Sequence, residues 1–260
     1  MVSSGSRRER KQSCLRVYIG NNQMIFKTFG NKHNKAVLFI HTLFTSADFF
    51  APVTDLLAKD YFVITPTLSG HYQNSVYISA EDEIRQIKEF LTANAINSLY
   101  AVAGFSLGGN LAYRFFCENS EMIEKAVIDS APLFDFPKII KNHFLKSYTK
   151  CLKKIKSGNC DVAKELNKHF NGMGEYQKDI APEVSFESLN NLVESCFNTK
   201  VYKLPEKQLQ KVTFIYGNKD IARLCKARLK NCRIHKLKGY GHCGYYREAP
   251  AEWAKKFILS

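Results

Sequence analysis

The chain has 260 residues, of which 45% are hydrophobic and 13% aromatic, a length and composition that can build one hydrophobic core and are ordinary for a globular protein. No stretch approaches the roughly 18 uninterrupted apolar residues that a membrane span requires. The charged start of the chain is not followed by the apolar run of a secretion signal. These features exclude a membrane-spanning or secreted class, and we expect a cytoplasmic protein.

Cysteine spacing and charge exclude two further classes. The eight cysteines contain no Cys-x-x-Cys pair, which argues against a zinc site, and we expect free thiols, no metal and no cofactor. A formal net charge of +14 raises the question of a nucleic-acid partner. Because no motif of a nucleic-acid-binding fold is present, we expect lysines spread over a solvated surface and no nucleic acid.

The first half of the chain alternates between strand and helix patterns. The predicted elements are a hairpin of strands 16–19 and 24–27 around a turn at 20–22, strands 36–41, 61–65 and 98–103, and helices 46–59 and 80–94. Pro52 falls in the first turn of its helix, where proline is tolerated. Strands alternating with helices predict a mostly parallel sheet with helices on both faces.

The second half interrupts this alternation. A helix at 109–116 and a strand at 125–129 are followed by about eighty residues without strands, before strands 211–217 and 232–237 and a final helix at 252–258. The carboxyl edge of a parallel sheet is where ligands bind, so a helical insertion there is placed to be a cap. We predict a flexible N-terminus at 1–14, a core of 15–132 and 208–260, and a helical cap at 133–207.

A basic amphipathic helix is predicted inside the cap. Residues 136–160 carry seven lysines and no acid, while apolar residues recur at helical spacing. Two interpretations stay open. Either the apolar stripe packs on the core and the lysines face water, or the segment is attracted to an anionic lipid surface or an acidic substrate.

A nucleophile candidate lies between a strand pattern and a helix pattern, in the segment Gly104-Phe105-Ser106-Leu107-Gly108. A serine on a sharp strand-to-helix turn needs small neighbours two residues away on either side, because the backbone is strained and packs closely there. The turn also aims the start of the helix and the Leu107 amide at the point where negative charge would develop. Ser106 is therefore predicted to be catalytic.

A serine hydroxyl needs a base, and the base needs a carboxylate to orient it. His242 lies in a glycine-rich loop after the last predicted strand, and Asp220 follows the strand before it. Both would lie at the same sheet edge as Ser106. Asp129, at the end of an earlier strand, is the alternative carboxylate, but we favour Asp220 because its spacing to His242 spans one strand and one connection.

The order Ser106, Asp220, His242, each on a loop after a successive strand, resembles the α/β-hydrolase superfamily over about residues 15 to 260. The segment His41-Thr42-Leu43-Phe44 is similar to the family's His-Gly motif, with Thr42 where glycine is usual. The segment at 66–71 is similar to the family's Pro-Asp-x-x-Gly-His loop, with Thr67 in place of the acid. The resemblance implies the α/β-hydrolase fold and an oxyanion hole formed by the Leu43 and Leu107 amides.

The resemblance further implies acyl transfer to water, with a small-molecule carboxylic ester as the substrate. Aromatic residues could line an acyl pocket, and Phe44, Phe105 and Phe134 are the predicted members. Two alternatives stay open: a thioesterase or acyltransferase acting on an anionic acyl carrier, and a non-catalytic ligand-binding relative that has kept the fold.

Overall fold

The computed structural model describes residues 23–260 and the backbone of residues 13–16. Its described part contains one eight-stranded sheet with the order β1-β2-β4-β3-β5-β6-β7-β8. The strands are β1 (Ser13–Arg16), β2 (Ile25–Phe29), β3 (Ala36–Ile40), β4 (Phe62–Thr67), β5 (Leu99–Phe105), β6 (Ile123–Asp129), β7 (Val212–Gly217) and β8 (Arg233–Leu237). The pairs from β4 to β8 are all parallel, which confirms the predicted α/β class.

The helices lie mostly where their patterns predict them, with boundaries shifted by a few residues. They are α1 (Ala51–Leu57), α2 (Ala80–Ala93), α3 (Leu107–Asn119), α4 (Lys138–Lys156), α5 (Val162–Phe170), α6 (Gly174–Gln177), α7 (Phe186–Phe197), α8 (Glu206–Leu209), α9 (Gly244–Glu248) and α10 (Pro250–Phe257). Pro52 lies in the first turn of α1, as predicted. Glu81, Asp82 and Glu83 occupy the first turn of α2, where the helix dipole favours acids.

The amino-terminal strands pair as a hairpin does, but not at the predicted residues. β1 is antiparallel to β2, with Ser13 opposite Thr28. It includes Arg16 of the predicted strand at 16–19, whose other residues lie outside the described ones, and it begins inside the segment predicted as a flexible N-terminus. The predicted turn at 20–22 and the rest of that N-terminal segment, residues 1–12, lie outside the described residues.

β4 continues through Pro66, although the sequence predicts that it ends at Thr65. β3 pairs with β4 only as far as Ile64, so beyond that residue β4 has the single neighbour β2. A proline lacks the N–H that a second ladder would need, and it is therefore tolerated at this one-sided end of the strand.

The sheet separates two apolar layers, because successive residues of a strand face opposite sides. In β3, Leu38 and Ile40 belong to the layer under α2 and α3, whereas Val37 and Phe39 belong to the layer under α1 and α10. Full burial of β3 on both faces explains why its sequence is apolar without alternation.

Helices α4 to α8 lie between β6 and β7 in the chain, and they contact the loops at the carboxyl ends of the strands. The ring of Phe170 in α5 meets Phe44 after β3 edge to face at 5.4 Å. The Ser188 hydroxyl in α7 accepts a hydrogen bond from the N–H of Tyr77 after β4. This segment thus covers the edge at which Ser106 lies.

The apolar stripe of α4 faces inward. Phe144 stacks on Phe197 of α7 at 4.5 Å and Tyr148 packs on Phe170 at 4.8 Å, while Lys146, Lys150 and Lys153 are exposed on the opposite side. Packing on neighbouring helices therefore accounts for the apolar half of the pattern. None of the described helices is both long and apolar enough to cross a bilayer.

Glu83 of α2 is a fully buried acid beneath the loop that follows β4. One of its oxygens, Oε2, accepts the N–H of Ser69 at 3.1 Å. Burial raises the pKa of this carboxyl from 4.5 to about 8, against the opposing effect of the Ser69 hydrogen bonds. The protonated acid is thus favoured by the folded state.

We predict that this carboxyl weakens the fold as pH rises. Because its folded pKa lies above its unfolded value, its contribution is fully present below about pH 4.5 and is lost as pH rises through about 8. Between about pH 5 and pH 9, the melting temperature of the wild type should fall relative to that of Glu83→Gln, which cannot titrate. Exposed Glu121→Gln is the control, and parallel curves for wild type and Glu83→Gln would contradict the prediction.

Candidate active site

Ser106 occupies the single-residue turn between β5 and α3. Its φ of 53° and ψ of −116° lie where a side chain is strained. A Cβ at Gly104 would overlap the Gly108 carbonyl, and a Cβ at Gly108 would overlap the Ile40 and His41 carbonyls. Both glycines are therefore required for α3 to approach the ends of β3 and β5, and this close approach places the serine at the sheet edge.

Asp220 and His242 lie in direct contact. The imidazole Nδ1–H of His242 donates to Oδ1 of Asp220 at 3.0 Å, and the same oxygen accepts the N–H of Ala222. Burial alone would raise the pKa of this carboxyl, but the His242 charge and the hydrogen bonds outweigh burial and hold it below its ordinary value. With Nδ1 as the donor, Nε2 of His242 is left to accept a proton.

Asp129, the alternative carboxylate, has other partners. Its two oxygens accept hydrogen bonds from the Ser130 hydroxyl at 2.9 Å and from the Trp253 indole at 2.8 Å. Burial raises its pKa to about 7. This carboxyl ties α10 to the end of β6, and of the two candidates it is Asp220 that orients the imidazole.

The end of β6 also links the serine to the histidine loop. The N–H of Ser106 donates to the Asp129 carbonyl at 2.9 Å, and the Ser130 hydroxyl accepts the N–H of Cys243 at 2.8 Å. Since Cys243 follows His242 directly, two consecutive residues of β6 and its loop hold both segments. The structure thus brings Ser106, Asp220 and His242 to one edge of the sheet.

The loop after β3 is held rigidly at the same edge. The His41 ring donates from Nδ1 to the Thr42 carbonyl at 2.8 Å, and its Nε2 accepts the N–H of Leu68 at 2.9 Å. The carbonyl of Leu43 accepts a hydrogen bond from the amide of Gln177 in α6 at 2.9 Å. Phe44 follows with a φ of 60°. The loop is therefore fixed both by the core and by the helical segment above it.

Leu107, the second predicted oxyanion donor, is the first residue of α3. The N–H groups of a first helical turn have no carbonyl to bond within their own helix, and the positive end of the helix dipole lies there. Its amide is thus suited to stabilise a developing negative charge next to Ser106.

The buried histidines of this edge are uncharged structural groups. Burial lowers the pKa of His71 to about 4 and that of His41 well below its ordinary value. Burial also raises the pKa of the Cys243 thiol well above its ordinary value, which keeps that thiol protonated beside the histidine.

The three predicted pocket residues lie in different surroundings. Phe44 is buried beside Leu43, and Phe134 stacks on Phe136 at 4.5 Å where the helical segment begins. Phe105 is fully enclosed, with Tyr246 and Trp253 at 4.7 and 4.9 Å. Contrary to the prediction that it lines an acyl pocket, Phe105 is a core residue, because its side chain points to the layer under α1 and α10.

Two functional contacts escape sequence reasoning. Ser130 could have been suspected, because it is a polar residue directly after a strand that ends at the predicted edge. Gln177 lies in the four-residue helix α6 and carries no motif, yet it is 1% exposed and binds the loop of Leu43. Nothing in the local pattern predicts that contact.

One group of side chains in the described part of the chain has the composition of a metal site. The ligand atoms of Cys151, Glu165 and His169 lie within 4.8 Å of one another. However, hydrogen bonds from Lys154 and Lys168, both at 2.7 Å, hold the pKa of Glu165 at about 2, and burial raises that of Cys151 to about 11. Two ammonium groups and a protonated thiol disfavour a cation here.

Comparisons with known proteins agree with this architecture. A profile described as the alpha/beta hydrolase fold matches residues 35–153. A human serine hydrolase-like protein is 27% identical over 127 residues, which span 47% of this chain and 62% of that protein.

Solved structures resemble nearly the whole chain. An esterase from a marine microorganism has a TM-score of 0.70 at 15% identity, covering 92% of this chain and 99% of that one. A thioesterase domain from the curacin biosynthetic pathway has a TM-score of 0.64 at 18% identity, covering 96% and 100%. The fold is that of the α/β hydrolases.

Proposed function

We propose that the protein is a serine hydrolase that cleaves carboxylic esters through an acyl-enzyme intermediate. The observation that carries the proposal is the 3.0 Å contact between His242 Nδ1 and Asp220 at the sheet edge where Ser106 occupies its strained turn. A buried carboxylate that accepts from Nδ1 stabilises the imidazolium form, and this is what a histidine needs to deprotonate a serine.

In the proposed mechanism, His242 Nε2 accepts the hydroxyl proton of Ser106 as the oxygen attacks the substrate carbonyl. The Leu43 and Leu107 amides stabilise the tetrahedral oxyanion, and each such donor contributes about 10²–10³ in rate. His242 then gives the proton to the leaving alcohol, which departs as the C–O bond breaks. Water, deprotonated by His242, attacks the acyl-enzyme and releases the acid and Ser106.

The choice of an ester rests on two supports. The solved esterase of the same fold is one, and it is an analogy at the level of the fold. The other is the apolar character of the site's surroundings, where Phe44 and Phe170 meet above the loop of Leu43 and would suit an acyl chain better than a polar group.

We predict that a fluorophosphonate labels Ser106. The reagent reacts with activated serines, so the wild type should acquire one covalent adduct by intact-protein mass spectrometry, whereas Ser106→Ala should acquire none. Exposed Ser157→Ala is the control and should label like the wild type. An unlabelled wild type with a native melting curve would instead favour the non-catalytic ligand-binding alternative.

We predict that replacing each of the two buried aspartates has a different effect on the rate of ester hydrolysis. Asp220→Asn removes the charge that stabilises the imidazolium, and kcat for a p-nitrophenyl ester should fall by about 10³–10⁴. Asp129→Asn keeps an acceptor for the Trp253 indole. Its kcat should stay within about tenfold of the wild-type value, provided that circular dichroism shows the variant to be folded. The reverse ranking would assign the carboxylate role to Asp129.

A second candidate is a thioesterase or acyltransferase acting on an anionic acyl carrier. The thioesterase of the same fold and the lysine-rich α4 favour it. Salt distinguishes the two functions, because screening weakens attraction between charges at a surface. For an acyl-coenzyme A the KM should rise several-fold between about 0.05 and 0.5 M salt, whereas for a neutral short ester it should not change. Efficient turnover of the thioester alone would overturn the proposed ester specificity.

A further inference from the structure

The outward face of α4 carries a continuous stripe of exposed side chains, here called the α4 stripe: Ile139, His143, Lys146, Lys150 and Lys153. At 100° per residue, these positions fall within about 80° of the helix circumference. The stripe runs for about 21 Å at a rise of 1.5 Å per residue. Its members therefore present one face to any surface that the helix lies against.

Positive charge on this face is not neutralised by any acid in the described part of the chain. Lys141 and Lys154 pair with acids of neighbouring helices. By contrast, Lys146, Lys150 and Lys153 form no ion pair with any residue that the structure describes, and no acid occurs between residues 136 and 160. A row of unpaired ammonium groups on a chain of net charge +14 is complementary to an anionic surface.

Ile139 indicates which kind of anionic surface fits. Its side chain is 79% exposed at the end of the basic row, where solvent offers it no apolar partner. A lipid interface accepts both an inserted apolar side chain and the lysine charges, whereas a nucleic-acid backbone provides only phosphates. The apolar side of α4 is already packed on α5 and α7, so the contact would be made by the α4 stripe itself.

We propose that the α4 stripe docks the protein on an anionic lipid bilayer, with Lys146, Lys150 and Lys153 at the headgroups and Ile139 inserted between them. Because α4 belongs to the segment above the edge of Ser106, docking would hold the candidate active site close to the membrane. Docking requires no catalytic step, so the docking proposal can be tested independently of the proposed hydrolysis.

The test is co-sedimentation of the full chain with phosphatidylcholine vesicles that contain or lack phosphatidylserine. We expect partitioning only onto the anionic vesicles, weakening as salt rises. A basic residue near an anionic membrane contributes roughly fivefold in partitioning, so the variant Lys146→Gln/Lys150→Gln/Lys153→Gln should lose on the order of 100-fold. The partitioning of Ile139→Gln should fall several-fold, and its dependence on salt should stay that of the wild type.

The matched control is Lys32→Gln/Lys59→Gln/Lys236→Gln, which removes three exposed lysines elsewhere and changes the net charge equally. Its partitioning onto the anionic vesicles should fall by less than about tenfold. Equal losses of vesicle binding in both triple variants would overturn the proposal, because binding would then depend on the overall positive charge and not on the α4 stripe. If the protein does not bind vesicles but retains an oligonucleotide, and the triple variant of the α4 stripe loses that retention, the stripe is a nucleic-acid-binding surface and the proposal is wrong. Ser106→Ala should bind vesicles like the wild type, which separates this test from the proposed function.

Discussion

The close approach of α3 to the carboxyl ends of β3 and β5 is the constraint on which the site depends. It is possible only because Gly104 and Gly108 present no side chain toward the backbone of the opposing segments. The consequence is a single residue, Ser106, forced to a positive φ between strand and helix. Strain of this kind costs about 1–3 kcal/mol and persists only where the surrounding packing determines the backbone. The strands on both sides supply that packing.

The end of β6 connects this strained turn to the loop that carries His242. Its last residue, Asp129, accepts the N–H of Ser106 through the backbone and the indole of Trp253 through the side chain. The next residue, Ser130, holds the backbone beside His242. A buried carboxyl whose pKa rises to about 7 is expensive to ionise, and its two hydrogen bonds offset part of that penalty. The acid that resembles a catalytic carboxylate in sequence therefore acts as a support.

The sequence predicts the parallel sheet because its strands are buried on both faces and read as continuous apolar runs, as in β3. It predicts that Ser106, Asp220 and His242 lie at one edge of the sheet, since parallel strands place their carboxyl ends together. The alternation of β5 also places the Phe105 ring in the same layer as Ala101 and Ala103, so its position in the core follows from the strand pattern.

Gln177 is the clearest case of a contact that only the fold can create. It lies 134 residues from Leu43, in a helix of four residues, and its amide reaches the carbonyl of the loop that is proposed to bind the oxyanion. Its own carbonyl oxygen is buried without a partner among the described residues, and an unpaired buried acceptor is costly. The segment above the sheet and the loop after β3 consequently form one unit, and displacing α6 would release the backbone that follows Leu43.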